Sequence, residues 1–313
     1  MPSQIVQKIL ERIGRPDEVS VLANDLTASE LNSLLLELLE VKTNAISAPQ
    51  LLNLYQDNRL VKPADLPVIE MKQIELDVVR ILADHGFSPI ELSPVTQLGS
   101  CSVVGPVNQK KILSALRGTE VLADSTNAIA LHVSDLKQKD KTPDLTLRFA
   151  NIQRQIRTQS IDAKGFTPHF RVGCLVSCGQ AEGQFNFEKD MLNEHLRIME
   201  YLFLHYYKVD EVSFRLLPRA GYPGKFVEEI ADYIKTQNRS MKLNIDSSGE
   251  RKVNNYYKGS QHKVDITVRG QTYEIGDGGF VDWTQKLLQN KKERMLSTGF
   301  GFDFMYRILN GQV

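Results

Sequence analysis

The first sixty residues repeat their apolar positions every three or four places, the spacing of helices that bury one side. Ile5, Ile9 and Ile13 form one such row. Thr27 followed by Glu30 is a capping-box pattern, and it opens a helix whose Leu31, Leu34, Leu35, Leu38 and Leu39 make one stripe. Ser47, Ala48 and Pro49 begin another helix that runs through Tyr55. Pro63 and Pro67 then interrupt the helical spacing, which divides the chain into a helical module, 1–62, and a larger unit, 63–313. The module is expected to cap the larger unit, to offer a dimer or partner-binding face, or to be a helix-turn-helix-like unit.

After Pro67 helical and strand periods alternate. Ile74, Val78, Ile81 and Leu82 predict a helix over 68–85, stopped by Gly86, with a strand over 87–92 leading to Pro94. A strand over 120–124 runs into a helix, and a hairpin follows from 145–157 to 169–179. A long helix is expected over 185–207, a strand over 212–216 and a helix over 222–237. Residues 262–268 and 271–275 alternate as strands around Arg269-Gly270. Asp277-Gly278-Gly279 predicts a turn where backbone approaches something closely. A charged helix comes next, and Gly299 and Gly301 mark the change from a strand to the last helix.

The order of these parts resembles the histidyl-type class II aminoacyl-tRNA synthetases over roughly residues 65 to 310. Tyr256, Tyr257 and Gly259 resemble the tyrosine pair that begins a strand of the amino-acid pocket. Gly278, Gly279, Phe280, Val281 and Asp282 resemble the family's Gly-Gly-aromatic-x-Asp run. Gly299, Gly301, Phe302, Asp303 and Phe304 resemble motif 3, with phenylalanine where the family has the arginine that lies against adenine. The segment around Pro94 resembles motif 1, which implies a homodimer. Leu122, Asp124 and Thr126 resemble the Arg-Pro-Glu-x-Thr segment, which implies Asp124 as the acid facing an α-ammonium. An aspartate ahead of Ser-Thr-Asn is equally an ordinary helix N-cap.

Residues 145–179 resemble motif 2. Arg154 matches the arginine that holds the α-phosphate, while Ile156 stands where the family has an acid. The resemblance implies a mostly antiparallel α+β fold flanked by helices. Adenylate chemistry needs cations and Mg²⁺ around a triphosphate, and two of the matching charges are missing. A charge partner of this kind is commonly worth roughly 3 kcal/mol in the transition state. The expectation is therefore a non-charging paralogue that binds an amino acid or similar small molecule and regulates or scaffolds a protein partner. The regulatory subunit of ATP phosphoribosyltransferase is the precedent. Asp124, Thr126, Tyr256, Tyr257, Gly278, Gly279 and Asp282 would line its pocket. The alternative is a truncated ATP- and Mg²⁺-dependent ligase that uses Arg154, Gly299, Gly301 and Arg307 on the nucleotide. A third reading is a structural dimer with an empty pocket.

Composition narrows this little. The 313 residues are 42% hydrophobic and 24% charged, with 38 basic against 38 acidic side chains, so no global pull toward polyanions exists. tRNA is not expected as a partner, because the chain ends six residues after Arg307, with no anticodon-binding domain behind motif 3. No apolar run reaches membrane-spanning length. Three cysteines suggest no disulfide framework, and a cytoplasmic setting is expected. Cys174 and Cys178 are expected as small core residues. The six histidines make no HExxH or comparable metal-ligand set.

Overall fold

A computed structural model of the chain describes residues 3–140, 146–159, 165–247 and 256–313. Helices α1 (Gln4–Arg12), α2 (Glu18–Asn24), α3 (Ala28–Asn44) and α4 (Ala48–Asp57) form an arm ahead of α5 (Val68–Asp84). Then come β1 (Ser88–Pro89), β2 (Val95–Gln97), β3 (Thr119–Val121), α6 (Ser125–Asp140), β4 (Leu147–Ile156) and β5 (His169–Gln180). α7 (Asn186–Tyr201), β6 (Glu211–Pro218), α8 (Phe226–Gln237) and β7 (Leu243–Ile245) follow. The chain closes with β8 (Lys258–Val268), β9 (Gln271–Val281), α9 (Trp283–Leu288), β10 (Glu293–Gly301) and α10 (Phe302–Leu309).

Eight strands form one sheet in the order β1-β4-β5-β10-β9-β8-β6-β7. The inner pairings are antiparallel, and only the edge pairs β1–β4 and β6–β7 are parallel. Side chains alternate across a strand, so each strand feeds two different layers. Ala150, Leu175, Leu296, Phe300, Val264 and Phe214 meet α5, α7, α8 and α10 on one face. Phe149, Cys174, Val176, Met295 and Val281 meet α6 and α9 on the other, together with Tyr256 and Tyr257. This second face is the one that carries the candidate site.

Local chemistry explains most boundaries. The Thr27 amide donates to Glu30 Oε2 at 2.8 Å and the Glu30 amide donates back to Thr27 Oγ1 at 3.3 Å, as the capping-box pattern predicts. Ser47 and Gln50 make the same reciprocal pair. The strand expected over 87–92 is cut to two residues, because amide side chains replace the ladder beyond it. Asn151 donates to the Ile90 carbonyl at 2.6 Å, and Gln153 bonds both the Leu92 amide and carbonyl at 2.9 and 2.7 Å. The long helix starts at Asn186, since Gln184 and Phe185 are left-handed, and its last turn widens to a π-helix over Leu202–Tyr206.

Two expectations near the C-terminus are corrected. Asp277-Gly278-Gly279 is not a turn but continues β9, paired with Gly299, Thr298 and Ser297 of β10. The charged helix is short: Gln289 turns left-handed after Leu288, and the chain is already a strand from Glu293. Residues 252–255, the first part of the Lys-Val-Asn-Asn-Tyr-Tyr stretch, lie outside the described residues. Among those described, no helix is long and apolar enough to cross a membrane.

Candidate functional site

Asp124 caps its helix with one oxygen and meets a tyrosine hydroxyl with the other. Its Oδ1 accepts from the Thr126 amide at 2.9 Å and from Thr126 Oγ1 at 2.7 Å, which caps α6. Its Oδ2 accepts from the Tyr256 hydroxyl at 2.5 Å, across 132 positions of sequence. Tyr256 packs edge-on against Tyr257 and Trp283, with ring centroids 4.8 and 5.1 Å away. Burial, and then the Asp124 charge, push the Tyr256 phenol well above its ordinary range. It is therefore a fixed donor at neutral pH, and its proton lies on the hydrogen bond to Asp124. Cys101 lies in the same shell, its thiol pushed up to about 12 mainly by burial, with Asp124 and Glu120 adding to it.

The tyrosine pair needs the glycines. A Cβ on Gly279 would stand 2.7 Å from the Tyr257 ring and 2.6 Å from the Ser260 carbonyl. Gly278 points to the opposite, helix-covered face, where a Cβ would meet Ser297 O and the His262 ring. Gly279 therefore borders the tyrosines, and Gly278 does not. Asp282 stands at the N-cap position of α9 without a capping side-chain bond and pairs with Lys286 at 2.9 Å and Lys258 at 3.6 Å. Along the same face Arg219 donates to Gln261 Oε1 at 3.1 Å, and Gln261 donates to Asp277 at 3.0 Å. Lys263 bridges Asp277 and Glu274.

The nucleotide-facing residues are arranged otherwise. Arg154 stands on the face of β4 that meets α5 and α10, opposite in parity to Gln153 and Gln155. Its guanidinium donates to His169 Nδ1 at 2.9 Å and lies 3.7 Å from Asp303. Asp303 is in turn held by Arg171, through its amide at 3.0 Å and its Nε at 2.8 Å, and Arg171 also reaches Glu75 at 3.0 Å. The assignment of Arg154 to the pocket is thus corrected by one residue of strand register, which exchanges every side chain between faces. At this end of the sheet the pocket face carries Arg157, which the sequence reading missed. It lies over the Phe170 ring at 5.3 Å, and its charge acts on Tyr257. Counting alternate positions from the buried Gln155, bonded to Ser125 beside Asp124, would have found it.

Phe304 packs on Phe166, with centroids 5.3 Å apart. Arg307 flanks the same spot but donates to the Asp65 carbonyl at 3.1 Å. The linker from the arm is fixed there by further bonds: His169 Nε2 donates to the Lys62 carbonyl at 2.6 Å, and Arg59 donates to the Thr158 carbonyl. Gly301 closes against Phe304 Cβ, whereas a Cβ on Gly299 would have no neighbour nearer than 3.7 Å. Among the described residues no three His, Cys, Asp or Glu side chains gather closely enough to hold a metal ion. Asp277, an acid of this face, is paired with Gln261 and Lys263.

No protein-family model matches the chain, and no curated protein matches it in sequence. Solved structures do match. The histidyl-tRNA synthetase of S. aureus superposes with a TM-score of 0.61 at 10% identity, over 80% of this chain and 69% of that one. An ATP phosphoribosyltransferase regulatory subunit/histidyl-tRNA synthetase from Bacillus halodurans gives 0.61 at 13% identity, over 82% and 83%. A histidine–tRNA ligase subunit from Alicyclobacillus acidocaldarius gives 0.57 at 10% identity, over 82% and 98%. With its antiparallel sheet and these likenesses, the chain has the fold of a class II, histidyl-tRNA synthetase-like catalytic core.

Proposed function

We propose that this chain is a non-charging paralogue that keeps the amino-acid end of a synthetase cleft and has given up the nucleotide end. The carrying observation is the contact of Phe166 with Phe304, with Arg307 turned to the Asp65 carbonyl beside it. An aromatic pair gives no charge to a triphosphate, and the Arg307 guanidinium beside it is held toward the Asp65 carbonyl. The pocket next to Asp124, Tyr256, Tyr257 and Gly279 takes an amino acid or a similar small molecule with a cationic end. The chain itself acts by regulating or scaffolding a protein partner, as suits the regulatory-subunit likeness. The homodimer through the Pro94 region belongs to the same reading.

A second reading has one specific support. Arg157 over Phe170 sets a cation on the pocket face, where a ligase would need one for phosphate. Pyrophosphate exchange with a panel of amino acids separates the two. No exchange above background, together with thermal stabilisation by one or a few amino acids, is expected. Robust exchange that is lost in Arg157→Ala establishes the ligase instead.

A further inference from the structure

The arm is held to the body by few bonds. α2, α3 and α4 bury no residue, and α1 buries only Leu10. Where α3 nears the body, Leu35 and Leu39 share the lining of a cavity of about 770 Å³ with Leu98 and Leu116. Among the described residues, three hydrogen bonds join 3–62 to the rest of the chain. The Arg117 amide donates to Asn32 Oδ1 at 2.7 Å, Arg59 donates to the Thr158 carbonyl, and His169 Nε2 donates to the Lys62 carbonyl at 2.6 Å. An element with so little buried apolar contact lies at the low end of local stability. Its docked and released states are therefore close in free energy, a balance that events elsewhere can tip.

The three bonds converge on Thr158. Its carbonyl accepts from Arg59, and its hydroxyl donates to the Lys111 carbonyl at 2.7 Å, in the segment that carries Arg117. His169 faces Ile156 across the β4–β5 ladder, two residues before Thr158. The same stretch of β4 is bonded to the pocket wall. The Ile156 amide donates to the Leu122 carbonyl at 3.0 Å, and the Gln155 amide group meets Ser125 Oγ at 3.0 Å. Leu122 and Ser125 bracket Asp124, whose Oδ2 takes the Tyr256 hydroxyl. Arg157, next to Thr158, lies over Phe170 on the pocket face. A continuous run of main chain and hydrogen bonds thus leads from Asp124 through Leu122, Ile156 and Thr158 to Arg59.

We propose that Thr158 couples the pocket to the arm. A change in how Asp124 is bonded shifts the end of β4, and the end of β4 carries the carbonyl that holds Arg59. The two-state element is the docking of the arm, and both the clasp and the pocket bias it. This rests on the pocket described under the proposed function and names the arm as the part through which its state reaches a partner. Thr158 and Arg59 act here as positioning residues.

Hydrogen exchange read by mass spectrometry on the full chain tests this without any ligand, so its outcome is separate from whether an amino acid binds. In the wild type the linker amides of 59–66 are expected to be protected. Arg59→Gln is expected to speed exchange in the linker and in α1–α4 by at least roughly 5-fold. Thr158→Val keeps the carbonyl and the branched shape but loses the Lys111 bond, and the same segments should quicken by less. The decisive variant is Tyr256→Phe, which touches neither arm nor clasp. It is expected to change linker exchange by at least roughly 3-fold, and to have no further effect once Arg59→Gln is present. α8, at the opposite end of the sheet, serves as the control for global unfolding and should stay unchanged. An unprotected wild-type linker overturns the proposal. So does an arm indifferent to Arg59→Gln, a linker indifferent to Tyr256→Phe, or a Tyr256→Phe effect of the same size with and without Arg59.

Discussion

The two ends of the candidate cleft differ in how their polar groups are answered. At the Asp124 end the partners are other side chains: a phenol, a threonine hydroxyl, a glycine-backed ring. At the Phe304 end, a ring faces a ring, and Arg307 and His169 are spent on backbone carbonyls of the linker from the arm. Opening that end means lifting the linker. On the proposed reading, aromatic and main-chain groups stand at the nucleotide end where charges would be needed.

The largest expected effect tests the backbone on which both ends rest. Gly278→Ala sets a Cβ 2.2 Å from the Ser297 carbonyl, a position held by the β9–β10 ladder. Urea unfolding is expected to show a loss of about 3 kcal/mol, the upper range for overpacking. A loss below about 1 kcal/mol means the strands can part there, and the cleft floor is softer than described.

Beneath the cleft, Ser177, His195, Thr298 and His262 form a buried chain of hydrogen bonds at 2.9, 2.8 and 2.9 Å. Burial holds His195 well below its ordinary range and brings His262 down to about 3. The unfolded chain binds these protons below about pH 6.5, whereas the folded chain does not. Stability is therefore fully present above that pH and falls as pH drops from about 6.5 toward about 3. The slope is about 1.4 kcal/mol per pH unit for each histidine. His262→Gln should remove its share between pH 6.5 and 5, and an unchanged slope contradicts the buried neutral assignment.

Tyr256→Phe sharpens the contrast between the ends with a smaller effect. Asp124 Oδ2 loses its donor, at a cost of about 1–2 kcal/mol for a part-buried carboxylate. Thermal-shift responses to amino acids should weaken as well. An unchanged response places the ligand away from Asp124.

The fold was legible because its elements follow local rules: the Thr27 box, the Gly86 stop and the apolar face of α7. What the helical period does not carry is the partner. α3 and α7 have comparable stripes, yet α7 buries Met191, Leu192, Leu196 and Met199 while α3 buries nothing. The site was legible where a side chain is fixed by its own neighbours, as Asp124 is by Thr126. It was misread at Arg154, because a one-residue slip in β4 leaves the motif looking intact while moving the charge through the sheet. Arg157 gave a signal only through parity, and Phe166 gave none, since its contact with Phe304 joins residues far apart in sequence.

Calorimetric titration of ATP with Mg²⁺ into the full chain tests the closed nucleotide end most directly. The account predicts no saturable heat up to about 1 mM ATP, which corresponds to binding weaker than about 4 kcal/mol. A Kd in the micromolar range, abolished by Arg157→Ala, would contradict it.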